Sequence, residues 1–411
     1  MEQPTAQSGN GYVYLSGSLP LLKMHRESYK FIERGCMKRR DFLKISGMLG
    51  LGLATFPAGL RSAEAVKFDK NLYKVARSMT GMGTIVSITT FNPSKDHAEE
   101  SIALAFEEIE RLTKIMSRFD SDSPVSLLNR DGFCNKVPPE LSFVIKKSLQ
   151  YHQISNGFFD ITVKPVLDLL AQSFKDQKKV TRIKEKIAEL LELVNAELIS
   201  LHGNDISFKK DGMGITLDGI AKGFIVDKAI ETLIKQGIKH ALINAGGDIR
   251  TIGDKGNNRP WKIAIEDPLK KKNYPDIVAI TNRSIATSGN YEVFFDREKI
   301  FHHIINPKTG LSPVINASVS VQAPTAIEAD ALSTTLFTLD PVQGMRLINS
   351  IPSTTFLDWC IISEIGHGCQ KRLSSIAFLS VGRVDGCIFF LTLLLHLHHL
   401  YSNFGILYIF P

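Results

Sequence analysis

The chain has 411 residues, of which 44% are hydrophobic and 22% charged, a composition typical of globular proteins and not of disordered or collagen-like chains. The net charge of +7 comes mostly from the two ends, since residues 1–65 hold nine basic and five acidic groups and residues 366–411 hold three basic and one acidic group. The nearly neutral middle gives no basic surface for nucleic acid, so no nucleic-acid partner is expected.

The N-terminal part divides at Met37. Residues 1–36 are rich in Gly and Ser and lack clear periodicity, so we interpret them as a non-native or disordered extension, with translation starting at Met37. Residues 37–65 combine a basic start, a short apolar run and a small-x-small cleavage pattern, which together predict a signal peptide. Arg39-Arg40 indicates the twin-arginine type, and hence a location in the periplasm or at the extracytoplasmic face of the inner membrane. The alternative is a chance Arg pair before a buried helix.

Residues 66–365 carry the patterns of a folded domain. Apolar residues at helical spacing predict helices, at His97–Phe119, Pro139–Ile154, Ile183–Val194, Ile220–Gln236 and Thr325–Leu339. Alternating or β-branched runs predict strands, at Tyr73–Phe91, Leu198–Phe208, Gly214–Leu217, His240–Asn244, Trp261–Glu266, Ile277–Thr281, Ser284–Thr287, Tyr291–Phe295, Val319–Ala323 and Thr355–Ser363. Leu198–Phe208 and Gly214–Leu217 are expected to pair around a Lys-Lys-Asp-Gly turn, and Thr355–Ser363 is expected to be the last strand. Because these elements do not alternate strictly as βαβ units, the predicted class is α+β, with mixed or antiparallel sheets and packed helices.

Residues 366–411 form an atypical apolar tail that contains histidines. No charged residue follows Asp385, and three histidines interrupt the apolar run that begins at Cys387. Three interpretations remain open: a non-native tail from a frame change, a membrane anchor, and a His-rich metal-binding tract. Membrane association is therefore one alternative and not the leading interpretation.

Common nucleotide and metal motifs are absent from the sequence. Gly81-Met-Gly83 does not continue as GxGxxG, and neither a phosphate-binding P-loop, an HExxH pair nor a CxxC pair occurs. Five short segments are instead unusually polar or Gly-rich for their surroundings. They are Gly81–Thr84, Ser155–Thr162, Thr216–Gly223, Asn244–Asp248, and a divided one that combines Ala286–Tyr291, His302–Pro307 and Ala329–Thr334.

Each of these segments has an ordinary interpretation when taken alone. A Gly-Gly pair often serves a turn that needs positive φ, Lys222 is compatible with a solvated helix face, and His303 with a structural histidine. Asp330 and Thr334 are four residues apart, so a helix places both on one face. The joint order of the segments carries the information.

That order resembles the ApbE family, the FAD:protein FMN transferases, over residues 75–363. The matching motifs are Met-Gly-Thr at Met82, Gly-x-Phe-Asp-x-Thr at Gly157, Gly-Ile-Ala-Lys-Gly at Gly219, Gly-Gly-Asp at Gly246, Thr-Ser-Gly-x-Tyr at Thr287, His-x-Ile-x-Pro-x-Thr-Gly at His303 and Ala-Asp-Ala-x-x-Thr at Ala329. The resemblance implies an ApbE-like flavin transferase fold in residues 66–365.

The resemblance to the ApbE family also implies an enzyme that cleaves FAD with Mg²⁺, moves FMN onto a Ser or Thr hydroxyl of a target protein, and releases AMP. The implied FAD-binding residues are Met82, Phe119, Phe158, Phe159, Asp160, Thr216, Asp218, Lys222 and Ile285. The implied metal ligands are Gly219, through its carbonyl, and Asp330, Ser333 and Thr334. Asp330 and His303 are the catalytic candidates, with His303 as base or orienting group and the adjacent His302 as its competitor.

Three departures from the family pattern bear on this expectation. Thr216-Leu-Asp218 stands where relatives have Asp-Leu-Gly, Asn306 stands where they have Asp, and the match fades after Ser363. The alternatives to a transferase are a FAD pyrophosphatase that uses water as acceptor, a flavin carrier without turnover, and an inactive product of an altered reading frame.

Overall fold

The structure is a computed structural model that describes residues 64–67, 71–175, 180–256, 258–266, 276–290, 302–314, 316–352, 354–363, 373–384 and 387–393. The extension at 1–36, most of the signal at 37–65 and the strand predicted at Tyr291–Phe295 lie outside these residues. So does most of the tail at 366–411, apart from two strands.

Eight helices and fifteen strands occupy the described residues. The helices are α1 (Lys95–Met116), α2 (Pro124–Asp131), α3 (Pro139–Ile154), α4 (Lys164–Lys175), α5 (Val180–Leu191), α6 (Ala221–Lys235), α7 (Ala326–Thr338) and α8 (Pro341–Ser350). The strands are β1 (Glu64–Lys67), β2 (Tyr73–Gly81), β3 (Thr84–Asn92), β4 (Phe133–Cys134), β5 (Ile199–His202), β6 (Asp205–Phe208), β7 (Ala241–Ala245), β8 (Asp248–Ile252), β9 (Trp261–Ile265), β10 (Asp276–Ile280), β11 (Ser284–Gly289), β12 (Asn316–Ala323), β13 (Thr355–Ser363), β14 (Leu373–Val384) and β15 (Cys387–Leu393).

The strands form three antiparallel sheets. Ten of them pair in the order β1-β2-β3-β7-β8-β11-β12-β13-β14-β15, while β9 pairs with β10, and β4, β6 and β5 form a small third sheet. Every neighbouring pair is antiparallel. The predicted α+β class is therefore confirmed.

The long strand predicted at Tyr73–Phe91 is wrong as a single element. It is a hairpin of β2 and β3 that turns at Met82 and Gly83, where Gly81 pairs with Thr84. Met82 has φ +52° and Gly83 φ +72°, and two positive values in sequence are those of a type I′ hairpin turn. Met82 therefore occupies a turn position that few non-glycine side chains adopt.

Two further predictions need correction. Leu198–Phe208 does not pair with Gly214–Leu217, because the chain reverses earlier and β5 pairs with β6 through His202 and Asp205. Gly214–Leu217 belongs to no strand. Thr355–Ser363 is a strand as predicted, but it is not the last one, since β14 and β15 extend the sheet beyond it.

The main core lies between the large sheet and the helices packed on it. Its buried side chains come mainly from α1, α3 and α6 and from the strands β3 and β7. Helix α6 packs in turn on α7, at Gly223, where an added Cβ would lie 2.3 Å from the carbonyl oxygen of Ala326. This close contact brings together the polar residues at the start of α6 and those in the middle of α7.

Among the described residues, every helix is too short or too polar to cross a bilayer.

Candidate active site

A cleft that is open to solvent lies at the first turn of α6. Its walls come from the turn before α4, the non-strand segment before α6, the starts of α6 and β8, the end of β11, the loop before β12, and α7. The lining residues are Phe158, Phe159, Asp160, Ile161, Val163, Leu167, Thr216, Asp218, Gly219, Lys222, Asp248, Thr287, Ser288, Gly289, His303, Ile304, Ile305, Pro307, Asp330, Thr334 and Thr338.

Oxygen atoms from two elements meet at the polar end of the cleft. Asp330 and Thr334 project from one face of α7, as their spacing predicts. A Cβ on Gly219 would lie 2.8 Å from Thr334 Oγ1, so the Gly219 backbone approaches this hydroxyl as only glycine allows. Asp330 Oδ2 accepts the backbone N–H of Gly223 at 2.9 Å. No described residue donates a hydrogen bond to its other oxygen, Oδ1.

The charges around Asp330 are unbalanced. Burial raises the pKa of Asp330 well above its ordinary value, the nearby carboxylate of Asp248 raises it further, and Lys222 and the Gly223 N–H partly oppose these effects. Lys222 Nζ lies 2.8 Å from Asp248 Oδ2, while Asp218 pairs with Arg118 at 3.0 Å. Each of the other two carboxylates thus has a close cation, and a cation beside Asp330 would relieve its cost of burial.

These donors fit Mg²⁺, which prefers hard oxygen ligands, commonly one or two carboxylates, with water completing the shell. Asp330 supplies a carboxylate and Thr334 a hydroxyl, and Gly219, the predicted carbonyl ligand, has its Cα beside that hydroxyl. Within the described residues, no group of three or more His, Cys, Asp or Glu side chains is placed to hold a metal. A cation at this position would therefore be held by one carboxylate and neutral oxygens.

The predicted ligand Ser333 belongs to a hydroxyl network behind the cleft wall. Its Oγ donates to the carbonyl oxygen of Asp330 at 3.0 Å and lies 2.9 Å from Ser288 Oγ. Ser288 Oγ is also 3.4 Å from Thr334 Oγ1. Ser333 does not line the cleft, so these contacts support a role in orienting the neighbouring hydroxyls, and its role as a metal ligand stays a prediction.

The tandem histidines have different surroundings. His302 is 1% exposed, its Nε2 lies 2.9 Å from the carbonyl oxygen of Pro313, and its Nδ1 accepts the N–H of Ile304 at 3.3 Å. A carbonyl can only accept, so Nε2 carries the proton and His302 is neutral. His303 lines the cleft. Of the two, His303 is the one placed to meet a substrate.

The Phe158-Phe159-Asp160 segment forms another wall, and Asp160 holds it in place. Asp160 Oδ1 accepts the N–H of Thr162 at 2.8 Å and its hydroxyl at 2.6 Å. Oδ2 accepts the N–H of Ala196 at 3.0 Å and lies 3.0 Å from His152 Nδ1. Both oxygens are thereby engaged, which supports a positioning role for Asp160 and leaves direct contact with substrate to the aromatic residues.

The segment that carries Thr216, Asp218 and Gly219 is held by a side chain that sequence reasoning did not identify. Asn129 of α2 accepts the N–H of Ile215 at 2.6 Å and donates to the carbonyl oxygen of Ile215 at 2.9 Å. The N–H of Thr216 donates to the carbonyl oxygen of Ile161 at 2.8 Å. These bonds replace the strand pairing that this segment lacks.

Four predicted site residues do not line the cleft. Met82 lies in the hairpin turn, and Ile285 is 2% exposed in a core cluster with Phe91 and Trp261. Phe119 is 70% exposed and is connected to the cleft by Arg118, whose guanidinium lies 4.2 Å from the centre of the Phe119 ring and also pairs with Asp218. The fourth is Ser333. Their roles toward FAD or metal stay predictions.

The structure adds lining residues that sequence reasoning did not assign to the site. Asp248 is the main one, and the Gly-Gly-Asp motif was its signal. The apolar wall is formed by Val163, Leu167, Ile304 and Ile305. Ile304 and Ile305 lie within the His302–Pro307 segment singled out in the sequence, whereas nothing in the local pattern of Val163 and Leu167 distinguishes them from ordinary core residues.

Comparisons with known proteins agree on one family. Residues 82–357 match the ApbE family. The FAD:protein FMN transferase of Haemophilus influenzae is 32% identical over 257 residues, which cover 59% of this chain and 74% of that protein. The FAD:protein FMN transferase of Vibrio cholerae is 29% identical, over 59% of this chain and 75% of the Vibrio cholerae protein.

Solved structures have the same fold. The ApbE protein of Thermotoga maritima is 27% identical with a TM-score of 0.62, over 70% of this chain and 94% of that one. The apo form of Pseudomonas stutzeri flavinyl transferase ApbE has a TM-score of 0.62 at 23% identity, over 78% and 96% of the two chains.

Proposed function

The chain belongs to the ApbE family, and we propose that it is a Mg²⁺-dependent FAD:protein FMN transferase. Its substrate is FAD, and its partner is an extracytoplasmic protein that carries an acceptor Ser or Thr. The observation that carries the proposal is the arrangement of Asp330, Thr334 and the Gly219 backbone beside the Lys222–Asp248 pair, in a cleft with an apolar wall. The relatives named as flavin transferases support the same assignment.

The polar end of the cleft suits a pyrophosphate and the apolar end suits a ring. Lys222 supplies a point charge for phosphate oxygens, while Asp330, Thr334 and the Gly219 carbonyl would hold Mg²⁺. When bound there, Mg²⁺ neutralises charge that accumulates on the phosphate oxygens as the bond breaks. The aromatic and aliphatic wall excludes water from one side of the substrate.

The reaction joins the acceptor hydroxyl to the FMN half of the substrate. The hydroxyl oxygen bonds to the phosphorus of that half, the bond from this phosphorus to the bridging oxygen breaks, and AMP leaves with the bridging oxygen. The hydroxyl proton passes to a base, because a neutral alcohol is a weak nucleophile. His303 is the candidate for this base or for the group that orients the hydroxyl.

The test combines the purified chain with FAD, Mg²⁺ and a small acceptor domain that carries a Thr-containing flavinylation motif. In-gel fluorescence and intact mass report covalent flavin, and chromatography reports AMP. Covalent flavin with an equal amount of AMP is expected, and both products should disappear when EDTA removes the cation. AMP and free FMN without labelled acceptor would indicate a FAD pyrophosphatase, while bound FAD without either product would indicate a carrier.

Asp330→Asn tests the ligand set, since the variant keeps the shape but loses the charge. It should raise the Mg²⁺ concentration needed for half-maximal turnover by about tenfold or more, the loss expected for a charge-assisted contact. Unchanged turnover at limiting Mg²⁺ would remove Asp330 from the ligands. Asp340→Asn, which changes an aspartate outside the cleft, is the matched control.

The proposed location is extracytoplasmic, reached through the twin-arginine signal at Arg39-Arg40. Replacement of both residues by Lys should retain the protein in the cytoplasm, because this export route reads the Arg pair. Cell fractionation measures the outcome, and normal export of the variant would indicate another route.

A further inference from the structure

The helices α6 and α7 supply each other's missing caps. The first turn of a helix has N–H groups without partners inside the helix. The N-cap residues Ile220 of α6 and Thr325 of α7 make no side-chain capping bond. Asp330 of α7 instead accepts the N–H of Gly223 in the first turn of α6.

In turn, Asp227 of α6 caps the start of α7. Its Oδ1 accepts the N–H of Ala326 and its Oδ2 the N–H of Ile327, both at 2.9 Å. These are the first two helical positions of α7. The carboxylate also lies at the positive end of the α7 dipole, where negative charge is favoured.

Arg250 links this contact to the large sheet. Its Nη1 lies 3.5 Å from Asp227 Oδ1 and donates to Ser284 Oγ of β11 at 3.2 Å. The same nitrogen donates to the carbonyl oxygen of Pro324, two residues before α7. Asp227 therefore joins α6, which carries Lys222, to α7, which carries Asp330, and Arg250 extends this link to β11.

The contact leaves little freedom between the two helices. Gly223 packs so closely against the carbonyl group of Ala326 that a Cβ would not fit. Asp227 of α6 caps the start of α7, and Asp330 of α7 caps the start of α6. A shift of α7 along α6 would break the Asp227 bonds to Ala326 and Ile327 together with the Asp330 bond to Gly223. The position of the Asp330 carboxylate in the cleft is thus tied to Asp227.

We propose that Asp227 is a positioning residue: through the start of α7 it sets where Asp330 and Thr334 lie relative to Lys222 and Gly219. Asp227 does not line the cleft and acts only through the backbone of α7. The link from this geometry to Mg²⁺ rests on the proposed function, whereas the geometry itself can be measured without it.

The test uses Asp227→Asn in the full chain, with Asp340→Asn as matched control. Asp340 Oδ1 accepts two backbone N–H groups at the start of α8, both at 3.0 Å, so it provides the same kind of cap on a helix without cleft-lining residues. Both variants should lower the urea midpoint. Hydrogen exchange of the Gly223 amide, read by mass spectrometry on a peptide that contains it, should rise about tenfold or more only in Asp227→Asn.

A second variant separates positioning from capping. Thr325→Asp gives α7 a local cap of a favoured residue type. In the Asp227→Asn background it should restore the urea midpoint but leave Gly223 exchange fast. If it restores both, or if Asp227→Asn exchanges at Gly223 like the native protein, the proposal is wrong.

The Mg²⁺ readout uses the metal alone. The concentration that gives half of the Mg²⁺-induced rise in melting temperature should increase about fivefold in Asp227→Asn and not in Asp340→Asn. If Mg²⁺ does not stabilise even the native protein, the metal part of the proposed function fails, while the exchange result still decides the positioning proposal. Should Asp227→Asn not fold alone, the double variant Asp227→Asn/Thr325→Asp, in which α7 has its own cap, is judged by the same exchange criterion.

Discussion

The ammonium group of Lys222 lies 2.8 Å from the carboxylate of Asp248, whose side chain is only 2% exposed. One partner comes from the first turn of α6 and the other from the first residue of β8. Of the two nearby carboxylates, Asp248 raises the pKa of Asp330 more than Asp218 does, and the pair gives Asp248 a cation. It also keeps an ammonium group in the lining of the cleft. Both consequences can be tested separately.

Lys222→Met should reduce stability and turnover together. Removal of the cation leaves Asp248 buried without its ion-pair partner, at a cost of about 1–3 kcal/mol in the free energy of unfolding. The double variant Lys222→Met/Asp248→Asn should recover most of this stability, because the buried charge is gone, but not turnover. Urea unfolding and steady-state assays measure the two effects, and recovery of turnover in the double variant would show that Lys222 does not serve the substrate.

Gly223→Ala should disturb the contact between α6 and α7. The new Cβ would lie 2.3 Å from the Ala326 carbonyl oxygen, so we expect a loss of about 1–3 kcal/mol from overpacking. Gly344→Ala in α8 is the control, since its Cβ would come no closer than 3.4 Å to Leu336. Alanine is the better helix former by about 1 kcal/mol, so the control should be as stable as the native protein or more so. Equal effects in thermal unfolding would contradict the close contact.

Asn129 should influence the site through the segment that it holds. Asn129→Ala removes both bonds to Ile215, and we expect a loss of about 1–2 kcal/mol with a raised KM for FAD. Asn129→Asp keeps the acceptor and loses the donor, so its effect should be intermediate. Asn92→Ala, which removes a bond to the N–H of Ser94 and lies outside the cleft lining, should lower stability without changing KM. A KM shift in that control would point to general loosening of the fold.

His152 should make stability depend on pH. The pKa of His152 is raised because its ring lies beside Asp160, an effect that burial partly opposes. Since the pKa is higher in the folded state, the stabilisation is complete below the unfolded value of about 6.5 and is lost as pH rises through the folded pKa. The difference in unfolding free energy between the native protein and His152→Gln should therefore be larger at acid than at alkaline pH.

Urea unfolding at several pH values measures this difference. His202→Gln is the control, because His202 is exposed on β5. A difference between native protein and His152→Gln that does not change with pH would mean that the His152–Asp160 contact carries no net charge interaction.

The local residue pattern correctly predicted features that depend on a single helix or strand. The helix predicted at Thr325–Leu339 is α7 to within a residue at each end, and its 3.6-residue period places Asp330 and Thr334 on one face. The strand predicted at Thr355–Ser363 has the bounds of β13. The order of the polar segments was enough to indicate the ApbE family, with which the comparisons agree.

Local pattern failed where turn geometry or a missing partner decided the outcome. The apolar run at Tyr73–Phe91 looks continuous, but Met82 and Gly83 adopt positive φ and reverse the chain. Gly214–Leu217 has the composition of a strand, yet Asn129 satisfies its backbone in place of a neighbouring strand. The residue pattern of a segment does not show which hydrogen-bond partner its backbone groups have in the folded protein.

Periodicity and motif order are properties of neighbours along the chain, and they were enough to predict the fold class, the family and ten of the 21 residues that line the cleft. Three features of the site are visible only in the folded chain: Lys222 pairs with Asp248, His303 and not His302 lines the cleft, and α6 and α7 cap each other. Those contacts join residues distant along the chain, and their geometry depends on how closely whole elements pack, here on the absence of a Cβ at Gly223.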